Sequence, residues 1–323
     1  QPPGRRPAPA PMVEDQADVE QLLRDQRARR AGRDELARTH PDFEQVSPTP
    51  GELDAEALAD LTARDPDAAA RLLTALGRAF DPGLRAAARA MAARLPVGVP
   101  RTGVPDRPGT RRVVTRRDPT GTDVDLDATL AARGAEPHWR AEHLHTRGWR
   151  ATGRACVLLV DASGSVAGDE LAVAVLTAAA LTQRMRPGDE LAVVAFWSSA
   201  VLLQPLSGLP QTDVVVDRLF DLRGGGTTDL DLALRAAAGQ LVRTRAAVRD
   251  VVLLSDGMPT DSPDPLPAAA ALHRLGARLH VLNLSDEADS VGNCALLAAT
   301  GGGRSAALRR PSQAPAAVRT LLG

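Results

Sequence analysis

Cys156-Val157-Leu158-Leu159-Val160 runs directly into Asp161-Ala162-Ser163-Gly164-Ser165. A short unbroken apolar run is what a strand buried on both faces requires, and such strands belong to parallel sheets covered by helices. The polar stretch that follows ends the strand in small, turn-forming residues. One carboxylate and two hydroxyls therefore stand at a strand's carboxyl end, where open α/β sheets place their ligands.

The same pattern continues to the C-terminus. Leu191–Phe196, Val251–Leu254 and Leu279–Leu284 are further buried strands, and Val201-Leu202-Leu203 is a short edge strand. Helical stretches alternate with them: 170–185, which is nearly all Ala, Val and Leu inside, then 214–222, 230–242, 267–275 and 291–299. A short strand near 304–308 and a helix over 312–322 complete the series. Strands alternating with helices at this spacing predict a doubly wound α/β domain with a mostly parallel sheet over 155–323.

Two more loops fall at strand or helix ends. Gly224-Gly225-Gly226-Thr227-Thr228-Asp229 opens a helix, and Ser255-Asp256-Gly257 ends the fourth strand of the series. The fold would bring all three loops together, supplying two carboxylates and several hydroxyls but no His or Cys. Hard oxygen donors suit Mg2+, Mn2+ or Ca2+ and disfavour Zn2+ and Cu2+. Each piece alone is weak, because Ser and Asp are common capping residues. All three in order make the metal reading specific.

Asp161-x-Ser163-x-Ser165, a Thr in a Gly-rich loop, and Asp256 before Gly257 resemble the metal-ion-dependent adhesion site of von Willebrand factor A (VWA) domains. The resemblance implies a ligand set of Asp161, Ser163, Ser165, Thr228 and Asp256. Thr228 is preferred to Thr227 because Gly-Thr-Asp-Leu resembles the family loop. It also implies that a partner's acidic side chain takes the last coordination position. Asp123-Val124-Asp125-Leu126-Asp127-Ala128-Thr129-Leu130, followed by a basic stretch, is similar to the approach to the first strand in the bacterial CoxE-like group. The layout also resembles, more distantly, the D subunit of magnesium chelatase. Members of both groups work with ring-forming AAA+ ATPases, of the MoxR type for CoxE-like proteins. The implied function is a binding adaptor in metalloenzyme maturation or metal insertion, whose metal site grips an acidic residue of the ATPase or its client, with ATP hydrolysis left to the partner.

Competing chemistries fit less well. The Walker pattern needs Lys after the glycines, where Thr227 stands. A phosphohydrolase Asp-x-Asp has Ser163 in place of its second carboxylate, and no Gly-x-Ser-x-Gly elbow surrounds a serine nucleophile. A metal-dependent hydrolase on the same oxygens lacks a general base, since His273 and His280 lie in a helix and a strand. No catalytic residue is assigned. A purely structural metal remains a further alternative. His138, His143 and His145 with Glu142 fit no familiar zinc spacing and read as solvated linker residues. Cys156 reads as inert core.

The N-terminal half is less regular. Residues 1–11 are Pro-rich, read as extended or disordered, and lack the apolar core of a signal peptide. Met12 is an alternative start. Residues 13–38 read as a charged, solvated helix with a thin stripe of Val19, Leu22, Leu23 and Leu36, so 1–51 form an arm. Residues 52–95 carry a helical period, with Asp65 and Asp81 as N-caps before Pro66 and Pro82. Residues 96–154 form a basic, Pro- and Gly-rich linker containing a short helix over 124–135.

The bulk numbers agree with an ordinary globular protein. The 323 residues suffice for about two domains, and hydrophobic and charged residues make up 44% and 24%. A net charge of -1 offers no global case for nucleic acid, and 2% aromatics with no Tyr provide few stacking platforms. Two cysteines far apart support no disulfide framework, so a reducing cytoplasm is expected, with no membrane span. The Ala- and Arg-rich bias resembles that of a GC-rich bacterial genome.

Overall fold

The computed structural model describes residues 12–25, 29–94, 112–117, 123–150, 153–163, 169–186, 188–206, 211–223, 225–260 and 262–322. In chain order the helices are α1 (Gln16–Asp25), α2 (Arg33–Thr39), α3 (Phe43–Val46), α4 (Ala55–Arg64), α5 (Pro66–Leu76) and α6 (Pro82–Arg94). Strand β1 (Arg112–Arg117), helix α7 (Leu126–Arg133) and strand β2 (His145–Arg150) follow. Then come β3 (Arg154–Asp161), α8 (Asp169–Arg184), β4 (Glu190–Phe196), β5 (Ala200–Gln204), α9 (Thr212–Asp221) and α10 (Leu230–Leu241). The chain ends with β6 (Val248–Ser255), α11 (Leu266–Arg274), β7 (Ala277–Asn283), α12 (Ala288–Thr300), β8 (Gly302–Ala307) and α13 (Ala314–Leu322).

Six strands form one sheet in the order β5-β4-β3-β6-β7-β8. All neighbours are parallel except β5, which runs antiparallel to β4 at the edge. From β3 the chain builds outward through β4 and β5, then returns to β3's other side and builds outward again through β6, β7 and β8. The reversal between β3 and β6 is a topological switch point, which opens a crevice beyond the two strands' carboxyl ends.

Alternation along β3 assigns the two faces. Cys156, Leu158 and Val160 share a core with α8, α9 and α13, while Ala155, Val157 and Leu159 face α10, α11 and α12. Helix α8 is buried nearly all round, from Leu171 through Leu181. A helix apolar on every side needs cover on every side, and the N-terminal helices supply the second layer. Residues of α4, α5 and α6 belong to the same core as β3 and α8.

The docking of α5 and α6 is specific. Gly77 lies so close to Phe220 that a Cβ there would stand 2.3 Å from the ring. The Arg78 guanidinium donates to the carbonyls of Phe220 (3.0 Å) and Leu222 (2.7 Å) at the end of α9, where helix carbonyls lack intrahelical donors. Arg89 stacks on Phe220 and pairs with Asp221 at 2.6 Å. Both expected caps form: Asp65 accepts from Ala68 N, and Asp81 from Leu84 N.

Three expectations for the N-terminal half are corrected. The charged segment is two helices rather than one solvated helix, and Val19, Leu23 and Leu36 are buried. Val13 also pairs with edge strand β5, donating to Ala200 O and accepting from Leu202 N, which covers the start of an edge otherwise open to pairing. Within the expected linker, β1 and β2 pair antiparallel from Arg112↔Arg150 to Arg117↔His145. His143, expected to be solvated, is buried; its Nδ1 accepts from Arg140 N and its Nε2 stands 3.4 Å from Glu136. Residues 1–11, expected to be disordered, lie outside the described residues.

At the opposite end of the sheet from the crevice, Asp250 is fully buried between Arg154 (3.4 Å), Arg278 (2.8 Å) and His280 (3.5 Å). Burial acts to raise its carboxyl. The adjacent His280 ring and the two guanidiniums outweigh that and hold it below the usual carboxylate range.

Candidate metal centre

The end of β3 and the end of β6 meet at the switch point. Asp161 is fixed from both sides: Oδ1 accepts from Ser163 N at 3.0 Å, and Oδ2 accepts from Ser255 Oγ at 2.6 Å. Ser255 also accepts from Gly257 N at 3.0 Å, so one buried hydroxyl ties the two strand ends together. The Thr228 hydroxyl, buried near the end of the Gly-rich loop, donates to Ser163 Oγ at 2.7 Å. Thr228 O accepts from Thr260 N, and Gly225 N donates to Ala162 O, which clamps the Gly-rich loop between the other two. Asp229 caps α10 by accepting from Leu232 N.

Asp256 completes the set. Its Oδ1 accepts from Met258 N at 2.9 Å, and its main-chain oxygen accepts from Ser290 of α12. Gly257 follows with φ +72°, and a Cβ there would meet Cys294 Sγ at 2.6 Å. The turn that presents Asp256 therefore needs glycine. Asp161, Ser163, Ser255, Asp256 and Glu170 line one cleft of about 220 Å3.

The electrostatics of the cleft are one-sided. Burial pushes the Asp161 carboxyl up, the bonds from Ser255 and Ser163 act against that, and the nearby charge of Asp256 adds to the rise. Partial burial, then Asp161 and Asp256, push Glu170 up in the same way. Among the described residues no Arg or His forms an ion pair with Asp161 or Asp256. Two close carboxylates without a protein cation form a site suited to a bound one. Among the described residues no group of three or more His, Cys, Asp or Glu that could hold a metal ion occurs. A site here would therefore draw on hydroxyls besides its two carboxylates, a donor set that fits a hard divalent ion and not zinc.

Of the five ligands expected from the sequence, Asp161, Ser163, Thr228 and Asp256 are brought together; Ser165 lies outside the described residues. Thr228 rather than Thr227 carries the hydroxyl that reaches Ser163. Ser255 and Ser290 were not singled out by sequence reasoning. A serine ending a buried strand beside an aspartate was the available signal for Ser255. Nothing local marks Ser290, which arrives from another helix. Cys156 is fully buried with its thiol pushed well up by burial, and Cys294 is pushed to about 11 by the same cause, so neither is a reactive thiol.

The sequence profile of the family described as VWA domain containing CoxE-like protein matches residues 103–317. The chain belongs to this CoxE-like VWA family. The matched region begins before β3 and includes β1, α7 and β2. A curated relative, an uncharacterized protein of Mycobacterium tuberculosis, is 31% identical over 202 residues, covering 56% of this chain. This CoxE-like chain spans 31% of that relative's length. Among solved structures it is similar to an aerotolerance-related membrane protein from Bacteroides fragilis carrying multiple mutations to serines (17% identity, 53% of this chain and 98% of that one, TM-score 0.43). It is also similar to a von Willebrand factor type A protein from Catenulispora acidiphila (18%, 55% and 43%, TM-score 0.39) and to the manganese-loaded TRAP protein of Plasmodium vivax (20%, 52% and 72%, TM-score 0.40). Among the described residues no helix is long and apolar enough to cross a membrane.

Proposed function

We propose that Asp161, Ser163, Ser165, Thr228 and Asp256 hold Mg2+, with Mn2+ or Ca2+ as substitutes, and that this centre grips an acidic side chain of a protein partner. The observation that carries the proposal is the convergence of two carboxylates and two hydroxyls at the switch point with no cation paired to them. Bound there, the ion would supply a hard positive position for a carboxylate oxygen. The chain's own residues do the rest. Ser163 N and Ser255 hold Asp161 in one orientation, Met258 N holds Asp256, and the Gly257 turn keeps the second carboxylate facing the cleft.

The partner proposed is a MoxR-type AAA+ ATPase or its client enzyme, with the chain acting in the cytoplasm as an adaptor in metalloenzyme maturation or metal insertion. CoxE-like membership supports this reading. The role proposed is binding rather than catalysis. Among the described residues no histidine lines the cleft, and His280 is buried against Asp250.

The test is capture of a MoxR-type ATPase by wild type and by Asp161→Ala, each in Mg2+ and in EDTA. Retention by wild type in Mg2+ alone, with Asp161→Ala still folded, is the expected result. Equal retention in all four conditions would reduce the metal to a structural staple of the three loops. Phosphate or ester turnover lost in Asp256→Ala would replace binding with hydrolysis.

A further inference from the structure

A second cleft, of about 480 Å3, lies between α2 and α5. Four arginines and a histidine line it, Arg29, Arg30, Arg71, Arg78 and His40, against a single carboxylate, Glu35. Glu35 is already paired with Arg29 at 3.0 Å. Arg78 is committed to the α9 carbonyls. Burial and Arg71 push the His40 imidazole down, so the standing charge of the cleft is carried by its arginines. In a chain of net charge -1 this is a local concentration of positive charge.

The position of this cleft gives it meaning. Its wall includes Leu171, the third residue of α8. Asp169, the first residue, pairs with Arg71 at 3.5 Å. Glu170, between them, lines the carboxylate cleft at the switch point. With a rise of about 1.5 Å per residue, the two clefts flank one turn of one helix. An extended peptide advances about 3.3 Å per residue, so a short segment spans both.

We propose that the α2–α5 cleft is a docking site for an acidic segment of the protein partner, continuous with the metal centre, so that one carboxylate reaches the metal while its neighbours lie against Arg30 and Arg71. This rests on the metal-grip reading for the first carboxylate and on the cleft's own charge for the others. The two parts are complementary. Asp161, Asp256 and Glu170 repel an acidic segment until a cation is bound, whereas the arginines attract it under all conditions.

The test uses the full chain and a fluorescein-labelled peptide of eight glutamates, followed by fluorescence anisotropy at low salt, where exposed charges are least screened. A peptide of eight glutamines is the control. Wild type should bind the glutamate peptide in EDTA and bind it more tightly in Mg2+. Arg30→Glu/Arg71→Gln should weaken binding about tenfold in both conditions, the scale expected when exposed pairs are lost and one is reversed. Asp161→Ala should lose only the gain from Mg2+. If the double variant melts early, Arg30→Gln is read in its place, with a loss of about threefold. Unchanged affinity in a folded charge variant, equal binding of the glutamine peptide, or no binding of the glutamate peptide to wild type would overturn the proposal. Loss in the charge variant without any Mg2+ gain in wild type would leave the docking cleft standing and remove the metal grip.

Discussion

Asp161 is oriented by a main-chain N–H on its own loop and by a hydroxyl on a different strand. Groups that orient a metal ligand set its affinity almost as strongly as the ligand does. Ser255→Ala, which removes the bond to Asp161 Oδ2 and the acceptor for Gly257 N, should therefore weaken Mg2+ binding about 10- to 100-fold. Calorimetry of the variant checks this; unchanged affinity would mean that the loops hold Asp161 without Ser255. Asp250 makes a separate prediction. Its folded carboxyl is held below the unfolded value of about 3.9, so its contribution is fully present above that pH and is lost as the pH falls through the folded value. Asp250→Asn should cost about 2 kcal/mol at neutral pH, because the buried carboxylate gives up charge-assisted contacts to two part-exposed guanidiniums, and should flatten the decline of stability in acid. Chemical denaturation at neutral and acid pH reads both effects. The three polar loops were legible as short motifs at strand and helix ends, which survive without tertiary information, and the resemblance to VWA domains supplied the proposed ligand set among them. Ser290 and the Asp250 cluster were not legible, because their partners lie on other elements.

At the scale of elements, the strands and the helices between them were readable because a parallel sheet demands unbroken apolar runs. The N-terminal half resisted for a physical reason. Its helices carry apolar stripes too thin to announce burial, and what they cover is α8, whose own sequence is apolar on every face. That all-round pattern in 170–185 was the signal that a second layer exists, though it does not say which segment supplies it. The paired strands at 112–117 and 145–150 are arginine-rich, and a basic stretch reads as linker when no partner strand is in view. The α5–α9 contact is the element-scale weak point. Gly77→Val would force a side chain into the Phe220 ring and should destabilise the chain by about 1–3 kcal/mol. Limited proteolysis should then cut the N-terminal helices before the α/β domain; uniform resistance would contradict the docking described for α5 and α6.

For the whole molecule, the switch point between β3 and β6 decides where function can sit. It gathers three loops separated widely in sequence, and it leaves the far end of the sheet to a buried ionic cluster with a structural part. CoxE-like membership and the mostly parallel six-stranded sheet agree with the α/β fold class expected from the sequence. The measurement closest to the central claim is a calorimetric titration of Mg2+ into the full chain and into Asp161→Ala and Asp256→Ala, each variant shown to be folded by circular dichroism. The account predicts a single site per chain in wild type and none in either variant. No binding to wild type, or undiminished binding to both variants, would contradict it.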